Sequence, residues 1–155
     1  MTNPEKIAFK RRLKQAATDL IEERIKVAKL AIEQAQEAAN QEEKSSAGDK
    51  YETGRAMSHL QKDMHARQLA ENLKELSSLH AIPTDTLYND VVPGAVIQAG
   101  PVCFFLSAGL GKLSIEGQIV IYLSPQAPLT RELLHKAAGD TFPFNRSEYL
   151  ISQIF

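Results

Sequence analysis

Asp49 and Glu52 are the residues of this chain best suited to chemistry, set three apart in the stretch Gly48-Asp49-Lys50-Tyr51-Glu52. Two carboxylates at that spacing lie on one face of a helical turn and offer hard oxygen donors to a divalent cation such as Mg²⁺. The same spacing also makes a helix-start capping box, in which Asp49 caps the backbone and Glu52 reaches back to it. The two roles are compatible, because a capping carboxylate can exchange its partner on docking. Lys44, Lys50 and Arg55 bracket the pair and supply either phosphate contacts to RNA or a mixed-charge, soluble surface. Glu42 and Glu43 read as a solvated helix end.

The other reactive side chains form no comparable group. Cys103, the single cysteine, sits beside Phe104 and Phe105 as a small core residue, and one thiol permits neither an internal disulfide nor a multi-thiolate zinc site. His59, His65, His80 and His135 show no i,i+4 pair, which argues against zinc. Gly109-Leu110-Gly111-Lys112 lacks both the leading glycine of a phosphate loop and the hydroxyl that should follow its lysine. No Gly-x-Ser-x-Gly elbow is present.

The elements that must position Asp49 and Glu52 are two long helices. Pro4 to about Asn40 contains no glycine, and small or apolar residues recur at Leu13, Ala17, Ile21, Ile25, Ala28, Ile32, Ala35 and Ala39. These steps of four and three mark a coiled-coil seam, and its alanines let a partner helix approach closely. Helicity is expected to fail around Lys44–Gly48 and to resume from about Glu52 to Leu79. The second seam is expected to begin at Met57, Leu60 and Met64 and to continue at Leu69, Leu73 and Leu76, with an irregularity near Arg67 where the register slips. A short connection favours antiparallel pairing within one chain, although an intermolecular coiled coil fits the same pattern.

Composition changes after residue 82. Residues 1–82 hold 14 of the 18 Lys/Arg and 13 of the 19 Asp/Glu, whereas the remainder holds six of the eight glycines and six of the seven prolines. The first part is therefore a nearly neutral, solvated helical surface, and the second a compact β-containing domain. Two domains follow, 1–82 and 83–155, joined by a linker running to Val92. Strands are expected at Ala95–Gln98, Val102–Ser107, Gln118–Leu123 and Tyr149–Ile154, with one short helix opening at Pro128 and carrying Leu129, Leu133 and Leu134. A sheet packed on one helix gives an α+β class. The net charge of −1 excludes a bulk polycation for gripping nucleic acid. With no membrane-length apolar run and no secretory signal, a cytoplasmic location is the expectation.

Along nearly its whole length the chain resembles the Gre transcript-cleavage factors. The likeness rests on the hairpin-then-sheet layout, on Gly48, Asp49 and Glu52 at the hairpin tip, and on a run in the second domain. That run is Ala127-Pro128-Leu129-Thr130-Arg131-Glu132-Leu133-Leu134-His135-Lys136-Ala137-Ala138-Gly139-Asp140.

The resemblance implies an N-terminal antiparallel coiled-coil hairpin and a C-terminal FKBP-like domain, acting as a monomer. It further implies insertion of the hairpin into the secondary channel of bacterial RNA polymerase, with Asp49 and Glu52 helping to hold a second Mg²⁺ in the polymerase's active site so that backtracked RNA is cut. Lys44, Lys50 and Arg55 would meet the nascent RNA 3′ region, and Pro128, Leu129 and Arg131 would belong to the docking module. The chain would then be no enzyme itself and would bind no Mg²⁺ tightly alone.

It departs from the family pattern at Thr53-Gly54-Arg55-Ala56 and at Ala127, where a serine N-cap is usual. A regulator that binds the channel without stimulating cleavage fits those departures. Rivals of other classes are a prolyl isomerase or chaperone, disfavoured by the absence of Trp, and a dimeric coiled-coil adaptor.

Overall fold

The computed structural model describes the backbone of residues 1–44 and 49–155, and the side chains of all of these except 42–44 and 49–51. Helix α1 spans Asn3–Lys44 and α2 spans Asp49–His80. A sheet of five strands follows, in the order β3-β4-β2-β1-β7. Its members are β1 Val96–Ala99, β2 Val102–Leu106, β3 Gly111–Ile115, β4 Gln118–Leu123 and β7 Gln153–Ile154. Helix α3 covers Pro128–Leu133, and β5 Thr141–Phe144 pairs with β6 Ser147–Leu150 as a separate hairpin. The fold is α+β: a helical hairpin followed by a small sheet with a helix. The five-stranded sheet is antiparallel except for β2 and β4, which run parallel. Two compact units divide the chain, one formed by Met1–Thr18 with Ser77–Phe155 and the other by Asp19–Leu76.

Helix α1 starts on a reciprocal cap. The Thr2 backbone N–H donates to Glu5 Oε2 at 2.6 Å, and the Glu5 N–H donates to Thr2 Oγ1 at 3.3 Å. This is the Thr-x-x-Glu capping box, and the Thr2 amide holds the Glu5 carboxyl below its usual pKa. Along α1 the expected seam is buried at Leu13, Ala17, Ile21, Ile25, Ala28, Ala35 and Ala39, and half-buried at Ile32.

Within the unit Asp19–Leu76, α2 lies antiparallel to α1, with Lys62 Nζ donating to Gln36 Oε1 at 2.6 Å. Its seam is not the expected one. Ser58 is buried and Lys62, His65, Leu69, Asn72 and Leu76 are half-buried, whereas Met57, Leu60, Met64 and Leu73 are exposed. The physical reason is that α2 passes Arg67 as an unbroken helix. A continuous 3.6-residue repeat cannot absorb the slip in the apolar pattern, so the first half of that pattern turns outward, and beyond Arg67 Asn72 takes the inward place expected of Leu73.

In the other unit the sheet is covered on both sides. One face carries Ile97, Val102, Phe104, Leu106, Leu123 and Ile154 against Leu133 of α3 and Phe142 of β5. Phe104 meets the rings of Phe142 and Phe144 edge-on, at 5.6 and 5.3 Å between centroids. The opposite face carries Cys103, Phe105, Val120 and Tyr122, all buried, and it packs on the first turns of α1. There Tyr122 Oη donates to the Leu13 carbonyl at 2.7 Å, and Phe9 lies against Phe155. Strand β2 is buried at all five positions as a result, as a central strand covered on both faces must be. Tyr122→Phe is therefore expected to cost about 1–2 kcal/mol in urea denaturation, since it leaves the buried Leu13 carbonyl without its side-chain donor.

The end of α2 and the first part of the expected linker, residues 80–88, are tied to α1. Lys14 Nζ donates to the carbonyls of His80 (3.2 Å) and Ile82 (2.7 Å), placing a cation at the carbonyl-rich end of α2. Lys10 Nζ donates to the Thr86 carbonyl at 2.6 Å and lies 4.6 Å from the Tyr88 ring centroid. Gly94 follows with φ +97°, where a Cβ would stand 3.3 Å from the Tyr88 ring and 3.4 Å from the Pro83 carbonyl, so both conformation and space select glycine.

Burial pushes the Lys10 amine down to about 8, opposed by the Asp85 charge. Burial likewise pushes the Cys103 thiol up to about 12 and raises the Tyr122 phenol. From pH 8 to 9 the unfolded chain keeps the Lys10 proton that the folded chain releases, so stability rises with pH. Above pH 9 to 10 the unfolded chain ionises Cys103 and Tyr122 while the folded chain does not, so stability falls. The expected urea midpoint is highest near pH 9, and Lys10→Met removes the rising limb.

The β3–β4 and β5–β6 connections are tight turns through left-handed conformations, at Glu116-Gly117 (φ 53° and 78°) and Asn145-Arg146 (φ 48° and 64°). The single last strand expected over Tyr149–Ile154 is instead broken at Ile151-Ser152. Tyr149 and Leu150 belong to β6, and Gln153-Ile154 forms β7 in the main sheet.

Candidate functional site: the hairpin end and helix α3

Asp49 is the first residue of α2 and Lys44 the last of α1. The side chains of Asp49, Lys44 and Lys50 lie outside the described residues, as do the side chains of Glu42 and Glu43 and the whole of Gly48. Glu52 is described: it occupies the first turn of α2 and is exposed. Arg55, one turn further on, is also exposed, and the three-residue interval puts it on the same side of the helix as Glu52. Gly54 lies within α2, which continues through it despite a cost of ~1 kcal/mol relative to alanine. Behind this end of the hairpin, Ala35, Ala39 and Ser58 are buried.

An acidic pair at the start of a helix has two consequences. Its carboxylates complement the partial positive charge of the helix N-terminus, and their oxygens suit a hard divalent ion. The exposure of Glu52 leaves its oxygens available to a group outside the chain. Among the described residues no three His, Cys, Asp or Glu side chains cluster closely enough to hold a metal.

Helix α3 presents the second set. Pro128 stands at its first turn after Ala127, which makes no side-chain cap bond. Pro128 and Arg131 are both exposed and three residues apart, while Leu129 is half-buried against the core. Thr130 anchors the helix from inside, buried and donating from Oγ1 to the Ser124 carbonyl at 2.7 Å. The run then turns back on itself. Asp140 Oδ2 accepts from the Ala137 N–H at 2.8 Å, and Gly139, at φ +97° with open space where a Cβ would stand, donates to the Ile151 carbonyl at 2.8 Å. The motif residues therefore separate by role: Thr130, Leu133, Gly139 and Asp140 build the fold, and Pro128 and Arg131 face outward.

Cys103 is buried with a raised pKa, in a core role. Gly111-Lys112 opens strand β3, opposite Tyr122 and Ile121 of β4. His65 faces Gln68, 3.1 Å from Nδ1 to Oε1. In sequence Lys10-Arg11-Arg12 with Lys14 reads as a basic cluster, more a hydrated helix face than a nucleic-acid contact; the structure corrects this, since Lys10 is buried and Lys14 half-buried, both donating to backbone carbonyls. Tyr122 carries no such signal, being a tyrosine within an apolar strand.

No family model matches the chain, and no curated protein matches it. Among solved structures, that of the transcription factor Gfh1 is similar with a TM-score of 0.39 and 13% identity, over 90% of this chain and 93% of that one. Among the described residues no helix is long and apolar enough to cross a membrane.

Proposed function

We propose that this chain is a Gre-type transcription elongation factor that binds bacterial RNA polymerase and stimulates hydrolytic cleavage of backtracked RNA. The observation that carries the reading is the acidic pair Asp49 and Glu52 at the start of α2, on the turn side of a helical hairpin, with Glu52 exposed. The outward pair Pro128 and Arg131 on α3 supports it as a docking surface.

On this reading Asp49 and Glu52 act as ligands in trans. They hold a Mg²⁺ jointly with carboxylates of the polymerase, and α2 fixes their spacing. An ion so held would supply an activated water and charge stabilisation for the attacking and leaving oxygens of the phosphodiester. Lys44, Lys50 and Arg55 attract the RNA 3′ region through its phosphates. The chain contributes ligands and orientation, and the polymerase contributes the remaining active site.

A second reading, a channel-binding regulator without cleavage, is favoured by one observation. Arg55 stands one turn from Glu52 on the same side of α2, so a cation neighbours the carboxylate that should bind the metal. Purified polymerase stalled on backtracked RNA separates the two. RNA shortening that depends on added chain supports the first reading. Binding without shortening supports the second, and absence of binding removes both.

A further inference from the structure

Two facing surfaces of the unit Asp19–Leu76 are mismatched. Helix α1 offers the small apolar side chains Ala28, Ala35 and Ala39, 5%, 6% and 2% exposed. Against them α2 sets Ser58, Lys62 and His65, while Met57, Leu60 and Met64 stand outward at 56%, 66% and 46% exposure. A groove of about 440 Å³ remains between the helices, lined in part by Val27, Ala28, Ala31, His65 and Asn72. The helix interface is thus open beside His65, one residue from the exposed Met64, while Ala35 and Ala39 are covered by small or polar side chains of α2 next to the exposed Met57.

The mismatch has a simple arithmetic. The α2 seam runs Ser58, Lys62, His65, Leu69, in helical steps of four and three. One residue earlier, Met57, Gln61 and Met64 repeat the same steps, but from Met64 to Leu69 the interval is five, that of a single π-type turn.

We propose that α2 has a second register on α1, in which a one-residue bulge near Arg67 brings Met57, Gln61 and Met64 onto the alanine seam in place of Ser58, Lys62 and His65. Burial of two methionines, whose flexible side chains adapt to an irregular groove, favours that register. The Lys62–Gln36 hydrogen bond and the unbroken backbone ladder of α2 favour the observed one. Leu60 moves to the flank of the seam. The register determines whether Met57 and Met64 are displayed near the turn end of the hairpin, whatever that end binds.

Disulfide trapping in the full chain tests this. With Lys62 opposite Gln36, antiparallel counting sets Ser58 near Ala39 in the observed register and Met57 near Ala39 in the second. Cys103 is buried with its thiol held protonated, so it does not compete. Under mild oxidation, Ala39→Cys/Ser58→Cys and Ala39→Cys/Met57→Cys are both expected to gain an intramolecular cross-link, and Ala39→Cys/Ala56→Cys to gain none. Absence of a link in the Met57 pair overturns the proposal. Deleting the exposed Ala66 shortens the Met64–Leu69 interval to four and supplies the second register without a bulge. Its melting temperature is expected to equal or exceed that of the parent, and a lower one counts against the second register.

Discussion

Asp49→Ala and Glu52→Ala are each expected to reduce stimulated RNA shortening to the rate of polymerase alone, a loss of at least about tenfold, while binding to polymerase persists. The expectation follows from the donor count. A Mg²⁺ site shared between two proteins has few protein ligands, so removing one carboxylate takes away both a charge and a coordination position. Glu52→Gln is the sharper variant, because it keeps shape and helix propensity but removes the anionic oxygen. If Glu52→Gln stimulates like the parent, Glu52 is no metal ligand, and its exposed position at the helix start serves solubility or capping. Far-UV circular dichroism checks that the hairpin remains helical in each variant.

Phe104→Ala is expected to be the most damaging single core substitution, at about 3–5 kcal/mol. Phe104 is fully buried on the central strand β2, and its ring touches both Phe142 and Phe144. Truncation leaves a cavity that the β5–β6 hairpin and the sheet fill only by moving together. A loss of this size is a large part of the 5–15 kcal/mol typical of a domain. Tyrosine emission during urea denaturation reads it, since the chain has four Tyr and no Trp. Phe104→Leu, which keeps most of the volume, is expected to cost about 1–2 kcal/mol. A Phe104→Ala cost below about 1 kcal/mol would show that Phe104 does not pack between the sheet and the rings of Phe142 and Phe144.

How far the sequence carries can be judged from particular residues. The α1 seam was legible because a buried stripe on a long glycine-free helix must repeat every three or four residues, and every expected seam position is buried or half-buried. The α2 seam was misleading because its apolar residues change phase near Arg67 and the backbone does not follow them. Strands β1, β2 and β4 were legible as apolar runs between turn residues. Strand β3 is missing from the expected strands, because an edge strand with Lys112 and Ser114 facing solvent has too little apolar content to stand out. Strand β5 was hidden by Pro143.

The tie between residues 80–88 and α1 was invisible in principle. Lys10 and Lys14 bond backbone carbonyls, and a carbonyl has no identity in a sequence. Of the candidate site, the acidic spacing of Asp49 and Glu52 is physical chemistry, but its assignment to RNA polymerase rests on resemblance. Exposure of Glu52, Arg55, Pro128 and Arg131 is what the structure adds.

The most direct measurement of the central claim is the Mg²⁺ dependence of RNA shortening by stalled polymerase, with and without the chain. If Asp49 and Glu52 supply ligands for a second ion, the half-saturating Mg²⁺ concentration falls by about tenfold or more, corresponding to ~1.4 kcal/mol of added binding free energy, and Glu52→Gln abolishes the fall. A half-saturating concentration that the chain leaves unchanged would contradict a shared metal site.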